Sequence, residues 1–208
     1  MKDSIDKIKE YLKLSAIDKK VVVSPLFFRD YDCPPMCGGC CKSYTIDYIA
    51  DSKRYRQFKK NYPDIVLKKR IVDGVEIYSE LNNHREDPFC KFLNQEDGRC
   101  NIHESNPFAC SMELIRFMKY SDKTVIINKL YGRGHQMKRV DGCRGALCKM
   151  TDLTKESFLR NIELLQELYE YSKLFGYETK LPDILNYLNC YKNEIMNNVK
   201  FRKQKIEF

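Results

Sequence analysis

The sequence predicts an α+β fold, in which a small cysteine-rich core with short β-hairpins is followed by a C-terminal helical hairpin. Two pairs of β-rich runs meet at turn residues, which is typical of hairpins. The last third of the chain carries apolar residues at helical spacing. Cysteines are concentrated in loops rich in glycine and proline. The length of 208 residues predicts one domain with an appended part.

The first half of the chain contains two predicted helices and a brief strand. Residues 1–20 carry apolar side chains at near-helical spacing and are predicted to form a short helix. Three successive valines at 21–23 predict the strand. A second helix is predicted over 47–62, with Thr45 or Asp47 as its N-terminal cap.

Two hairpins are predicted from turn residues. Asp73-Gly74 is the kind of pair that favours a type I′ turn, and β-rich runs flank it at 65–72 and 75–81. A second pair of strands is predicted within 114–130. These short strands supply the β part of the predicted fold.

The C-terminal third predicts two helices that pack together. The first begins after Thr154 and ends at Gly176, a residue that favours the left-handed conformation at helix ends. The second begins at Pro182 and carries Cys190, which is expected to be a small buried side chain. The predicted organisation is therefore a cysteine-cluster domain with its N-terminal helix over 1–150, and a helical hairpin over 151–208 packed on it.

Composition restricts the compartment and the partners. No run approaches the roughly 20 apolar residues that span a membrane, and the charged N-terminus lacks an apolar signal core, so we expect a cytoplasmic protein that does not bind membranes. Ten cysteines in a reducing compartment indicate metal binding rather than disulfide bonds. The net charge of +8 counts thiols as neutral. Because four thiolates on one zinc carry about −2, this charge alone does not indicate nucleic-acid binding.

The most informative stretch holds Cys33, Cys37, Cys40 and Cys41 within nine residues. Its prolines and glycines predict a tight loop, and thiolates are preferred ligands of zinc and of iron–sulfur clusters. Neighbouring side chains diverge, so the adjacent pair hardly fits a single tetrahedral ion. A cluster, or two separate sites, accommodates both cysteines more easily.

A second cysteine group follows about fifty residues later. Cys90, Cys100 and Cys110 are spaced ten and ten residues apart, and Cys143 lies further on in a glycine-rich stretch. A tight turn at Gly98 is predicted to bring Cys90 back beside Cys100. Glycine-containing loops of this kind can direct several thiols toward one point.

These thiols are the candidate ligands of a metal-binding core, and their softness excludes calcium and magnesium. Eight thiolates suit two tetrahedral zinc ions or two cubane clusters. A single cluster with four cysteines that bind no metal is a further possibility. Cys148 and His103 are further candidates whose role the sequence leaves open, whereas Cys190 is excluded. The predicted metal ligands are Cys33, Cys37, Cys40, Cys41, Cys90, Cys100, Cys110 and Cys143.

The combined pattern resembles the YkgJ-type cysteine-cluster family of zinc- or iron-chelating domains. The resemblance implies metal binding, and the similar cysteine pattern of the flagellin lysine methylases with their iron–sulfur centre favours an iron–sulfur cluster over zinc. Asn106 and Ser111 stand where the family usually has arginine, and His103 stands where an aromatic residue is common. The stretches that carry the resemblance are 33–41, 90–93, 98–102, 107–110 and 141–145.

The predicted function is therefore metal binding with a structural or redox role. One alternative is a cluster-dependent, methylase-like enzyme, although no dinucleotide fingerprint, zinc-protease helix or nucleophile elbow occurs. Another is a zinc-based adaptor for nucleic acid or protein, weakly supported by basic and aromatic runs at 53–56, 59–62 and 68–70. The sequence identifies no catalytic residue, protein partner, substrate or oligomeric state.

Overall fold

The computed structural model of the protein describes residues 4–17, 20–23, 31–32, 46–80, 90–94, 96–112, 115–121, 123–128, 136–137, 146–147, 149–150, 154–190 and 192–193. Its helices are α1 Ser4–Ile17, α2 Lys53–Asn61, α3 Phe108–Ser111, α4 Lys155–Leu174 and α5 Leu181–Cys190. Its strands are β1 Lys20–Val23, β2 Tyr31–Asp32, β3 Ile46–Ile49, β4 Lys68–Val72, β5 Val75–Glu80, β6 Ile115–Tyr120, β7 Lys123–Asn128, β8 Gln136–Met137, β9 Ala146–Leu147 and β10 Lys149–Met150. The α+β prediction is confirmed.

The chain divides into two compact units. Unit 1 comprises Met1–Lys7, Cys33–Glu113 and Gln136–Cys148, and unit 2 comprises Ile8–Asp32, Leu114–His135 and Lys149–Phe208. Unit 2 thus combines the C-terminal helices with two earlier parts of the chain. Of the described cysteines, Cys90, Cys100 and Cys110 lie in unit 1 and Cys190 lies in unit 2.

Unit 1 contains an antiparallel sheet in the order β3-β5-β4. Strands β4 and β5 form the predicted hairpin, with Val72 opposite Val75. At the turn, Asp73 has φ 49° and Gly74 has φ 79°, so both residues adopt the left-handed conformation that a type I′ turn requires. The local signal in the sequence therefore predicted this hairpin correctly.

The predicted helix over 47–62 was wrong in its first turns. Residues 46–49 form strand β3 and pair with β5, and all four of its side chains are buried. Helix α2 begins at Lys53, because the Ser52 side chain accepts a hydrogen bond of 3.1 Å from the Tyr55 amide and acts as the N-cap. Pairing with β5 outweighed the capping residues on which the prediction of the helix start was based.

Aromatic packing fixes α2 against the sheet of unit 1. Tyr48 on β3 stacks on Phe58 of α2 with ring centroids 4.8 Å apart. Phe92 meets Phe58 edge-on at 6.0 Å, which ties the segment after Cys90 to the same core. These contacts fall in the range of favourable aromatic pairs. The segment that carries the second cysteine group is therefore anchored on a folded frame.

A buried polar network anchors the start of α1 to the same sheet. The fully buried carboxylate of Asp47 accepts hydrogen bonds from Ser4 and Ser79. Arg70 forms an ion pair with it, with 2.9 Å from Nη2 to Oδ1, and donates through Nε to the Ser79 hydroxyl at 2.6 Å. A buried carboxylate requires such partners, because it has lost its solvation by water. Its role differs from the helix cap that the sequence suggested.

Unit 2 contains the sheet β1-β7-β6. Strands β6 and β7 are the predicted second pair, and β1 adds to β7 in parallel. Helix α1 lies on this sheet, where Tyr11 donates to the Ile115 carbonyl at 2.6 Å and stacks on Phe117 at 4.7 Å. The predicted first helix and first strand are both confirmed.

The C-terminal helical pair is also confirmed. Thr154 and Ser157 form a reciprocal capping box at the start of α4. The helix ends at Leu174, and Gly176 follows the C-cap with a φ of 69°, which suits a glycine, while the Tyr177 amide donates back to the Ser172 carbonyl at 2.8 Å. Apolar faces of α4 and α5 are buried, including Phe158 and Leu165. The predicted apolar positions beyond residue 193 lie outside the described residues.

Within the described ranges, none of the helices has both the length and the apolar character that crossing a membrane requires.

Replacing Asp47 with alanine should destabilise unit 1. The change leaves the guanidinium of Arg70 and two serine hydroxyls without their acceptor, so we expect the free energy of unfolding to fall by about 2–3 kcal/mol. Urea denaturation followed by circular dichroism measures it. Asp64→Ala removes an exposed carboxylate and is the matched control, with an expected effect within about 0.5 kcal/mol. Equal effects of the two substitutions would contradict this role.

Candidate metal centre

Three of the predicted ligands lie in the described part of the chain. Cys90, Cys100 and Cys110 are half-buried, and none of them forms a disulfide. Cys90 and Cys100 come from one small hairpin of unit 1, and Cys110 comes from α3. Nothing is described for the other candidates or for the remaining histidines, because they lie outside the described residues: Cys33, Cys37, Cys40, Cys41, Cys143, Cys148, His84 and His135.

A small hairpin carries Cys90 and Cys100. The Leu93 amide donates to the Cys90 carbonyl at 2.9 Å, and Leu93 forms an antiparallel bridge with Cys100. Gly98, with φ 71°, closes the turn by donating to the Asn94 carbonyl at 2.8 Å. The predicted return of the chain at Gly98 is confirmed, although the residue opposite Cys100 is Leu93 rather than Cys90.

Cys110 lies in the single helical turn α3. Its amide donates to the Pro107 carbonyl at 3.0 Å, and the Met112 amide donates to the Phe108 carbonyl, also at 3.0 Å. Phe108 is buried and holds the turn against the interior, whereas Cys110 remains half-buried. The turn therefore presents a thiol at the edge of a packed segment.

Two of these cysteines pack against the core around Tyr48. Cys90 and Cys100 contact the apolar cluster that contains Tyr48 and Phe58. Burial is the largest cause that raises the pKa of Tyr48, and the charges of Cys110, Cys100 and Cys90 raise it further. The Tyr48 side chain is 2% exposed, and its hydroxyl donates to the Ser105 carbonyl at 2.8 Å.

Ser105 adds a buried hydroxyl without a partner. The residue is 1% exposed, and its Oγ makes no hydrogen bond with any residue that the structure describes. Such a group costs about 1–3 kcal/mol when it stays unpaired, and native structures contain few of them. Ser105 lies midway between Cys100 and Cys110 in sequence, so this donor belongs to the cysteine-bearing segment.

Within the described ranges, no three or more His, Cys, Asp or Glu side chains form a group that could hold a metal ion. The described cysteines are thus neighbours of Tyr48 without forming a complete ligand set among themselves. His103 lies in the 3₁₀ turn His103–Ser105 with an exposed side chain. Cys190 is exposed at the end of α5, so the expectation that it is buried was wrong.

Sequence reasoning missed Tyr48, Ser105 and Arg54, whose importance depends on contacts between distant parts of the chain. Tyr48 and Ser105 are 57 residues apart, and Arg54 and Ser111 are also 57 residues apart. No local pattern in the sequence signals such pairs. The sequence analysis did single out positions 106 and 111, where the resemblance led us to expect arginine. Both positions contact Arg54, but nothing in the sequence identified Arg54 itself.

Comparison with known protein families identifies the region that contains these residues. Residues 32–129 match the model of the CxxCxxCC family, described as "Putative zinc- or iron-chelating domain". This part of the chain, somewhat less than half of its length, is therefore similar to that cysteine-cluster family. The match includes the seven cysteines from Cys33 to Cys110 and ends before Cys143. Comparisons with the curated proteins and with the solved structures found no match.

The similarity to the cysteine-cluster family supports metal binding as the general property of this region. The donor chemistry agrees with it, because thiolates are soft ligands that suit zinc and iron–sulfur centres. The three described thiols add the observation that separate segments of unit 1 bring such donors to one neighbourhood.

Tyr48→Phe should weaken metal retention as well as stability. The substitution removes the donor to the Ser105 carbonyl, and we expect a loss of about 1–2 kcal/mol in the free energy of unfolding. Tyr11→Phe is the matched control, since it removes a similar buried tyrosine–carbonyl bond in unit 2. Metal content after a chelator challenge should fall in Tyr48→Phe and stay unchanged in Tyr11→Phe. Equal metal retention in both variants would contradict a special role for Tyr48.

Proposed function

We propose that the protein holds one or two thiolate-bound metal centres, with an iron–sulfur cluster preferred over zinc, and that the centre has a structural or redox role. The observation that carries this proposal is that Cys90 and Cys100 pack against the core cluster that contains Tyr48, and that Cys110 is half-buried in the same unit. The proposed ligands are Cys33, Cys37, Cys40, Cys41, Cys90, Cys100, Cys110 and Cys143.

The described residues fit such a centre in two ways. The three thiols are soft donors, which suit zinc and iron and suit magnesium and calcium poorly. The orphaned hydroxyl of Ser105 is a donor that a metal-bound thiolate nearby would satisfy, because thiolate sulfur accepts hydrogen bonds. Hydrogen bonds to ligand sulfur also tune the reduction potential of iron–sulfur clusters. A buried donor beside cysteines is therefore chemically consistent with both roles.

The preference for an iron–sulfur cluster rests on the first cysteine loop. Cys40 and Cys41 are adjacent, and neighbouring side chains diverge too far for one tetrahedral ion to take both easily. A cluster offers several iron atoms as binding points. Zinc remains the alternative, with two four-thiolate sites accounting for the same eight ligands.

Bound metal would supply either closed structural coordination or a one-electron redox centre. For the structural role, metal binding contributes directly to folding free energy. The rest of the proposal concerns the residues of the chain itself: Tyr48 and Ser105 hold the second cysteine group near β3, and half-burial limits access of water to the thiols. We place the protein in the cytoplasm, where thiols stay reduced.

Anaerobic purification followed by visible absorption and elemental analysis tests the metal. We expect a brown protein that contains iron and acid-labile sulfide, because thiolate-bound clusters absorb visible light. A colourless protein with about two zinc ions per chain would show that the bound metal is zinc and not an iron–sulfur cluster, because zinc occupies four-thiolate structural sites. Folded protein that binds neither metal would refute the proposal.

Substituting single cysteines tests the ligand set. We expect Cys110→Ser to lower the metal content and the melting temperature, since the hydroxyl of serine is a poorer ligand for soft metals. Cys190→Ser is the matched control, because Cys190 is exposed on α5 and is not a proposed ligand. Metal analysis and thermal unfolding of both variants provide the comparison. Full metal content in Cys110→Ser would remove Cys110 from the ligand set.

A further inference from the structure

Arg54 on α2 reaches the segment that carries Cys110. Its Nη1 donates to the main-chain oxygen of Asn106 at 3.1 Å and to the side-chain oxygen of the same residue at 3.0 Å. The same nitrogen donates to the hydroxyl of Ser111 at 2.9 Å. Ser111 donates in turn to the Asn106 side chain at 2.8 Å, which closes a triangle of polar groups.

These contacts lie on both sides of Cys110 in the sequence. Asn106 precedes Pro107, whose carbonyl accepts the amide of Cys110 at 3.0 Å, and Ser111 follows Cys110 directly. The guanidinium carbon of Arg54 also lies 5.7 Å from the ring centroid of Phe108, within the range of a cation–π contact. One side chain of α2 thereby binds both ends of the turn that carries the thiol.

The positive charge of Arg54 lies beside the turn that carries Cys110. Its guanidinium binds Asn106 and Ser111, the residues on either side of that turn. Four thiolates on a divalent ion carry a net charge of about −2, which a half-buried cation nearby would offset.

We infer that Arg54 is a positioning residue of the proposed metal centre. It holds the Asn106–Ser111 segment that carries Cys110, and its positive charge stabilises the negatively charged, metal-bound thiolates. This inference rests on the proposed function and adds to it a residue outside the cysteine pattern.

The residues on either side of the turn suit this role. Asn106 and Ser111 both provide acceptors for the guanidinium of Arg54. Between positions 106 and 111 the segment contains no basic residue, so the cation comes from α2.

Zinc affinity of the full-length protein tests the inference, with zinc alone as the probe and a chromophoric chelator as the competitor. We expect Arg54→Gln to bind zinc about 10- to 100-fold more weakly than the wild type, as substitutions of outer-shell partners of metal ligands do. Arg54→Lys should lie between them, because lysine keeps the charge but binds as a point charge. Arg56→Gln is the matched control on α2, since Arg56 is exposed and donates to the Asp51 carbonyl.

Each outcome has a definite meaning. Wild-type affinity in Arg54→Gln would overturn the inference, and equal weakening by Gln and Lys would reduce Arg54 to a structural role without a charge effect. Circular dichroism of the metal-free proteins identifies a folding defect. If Arg54→Gln does not fold, Arg54→Lys decides: a several-fold loss supports the inference and unchanged affinity overturns it. Failure of the wild type to bind zinc or iron would instead refute the proposed function, which is a distinguishable result.

Discussion

The hydrogen bond from Tyr48 to the Ser105 carbonyl is the contact on which the candidate centre depends most. It joins strand β3, a buried part of the sheet of unit 1, to a segment with little regular structure. That segment spans Cys100 to Cys110 and consists of turns, a 3₁₀ turn and one turn of helix. Because the segment has little regular backbone hydrogen bonding, contacts with the rest of unit 1, such as the burial of Ile102 and Phe108, hold its geometry. Tyr48 supplies that connection because its ring lies in the aromatic core and its hydroxyl reaches the loop.

Electrostatics explains why a buried phenol and a cation accompany the cysteines. Deprotonated thiols near one another repel, and burial increases the free energy of every uncompensated charge. A metal ion removes most of that cost, and the guanidinium of Arg54 offsets part of what remains. Tyr48 contributes a neutral donor, since burial and the neighbouring thiols all raise its pKa and keep the hydroxyl protonated. The surroundings of the three cysteines are therefore suited to thiolates that are bound to metal.

Local signals account for the parts of the fold that the sequence predicted. Asp73-Gly74, Gly98 and Gly176 all adopt positive φ, and each marked a turn or helix end that the structure confirms. The prediction failed at Asp47, where a strand replaced a helix, because pairing with β5 and an ion pair with Arg70 are contacts between distant residues. The cysteine pattern identified the candidate ligands because it too is a signal that short stretches of sequence carry. The supporting residues Tyr48, Ser105 and Arg54 carry no pattern, since their roles arise only after folding.

The Arg54 triangle also implies that three positions of this chain depend on one another. An arginine at position 106 or 111, as in the family pattern, would place a second guanidinium beside Arg54 and replace an acceptor by a donor. Like charges at such distances repel, and Arg54 would lose the partners that hold it. The cation from α2 therefore depends on short polar acceptors at both positions. A change at any one of the three residues removes contacts that hold the other two, which is why their effects on stability should not be additive.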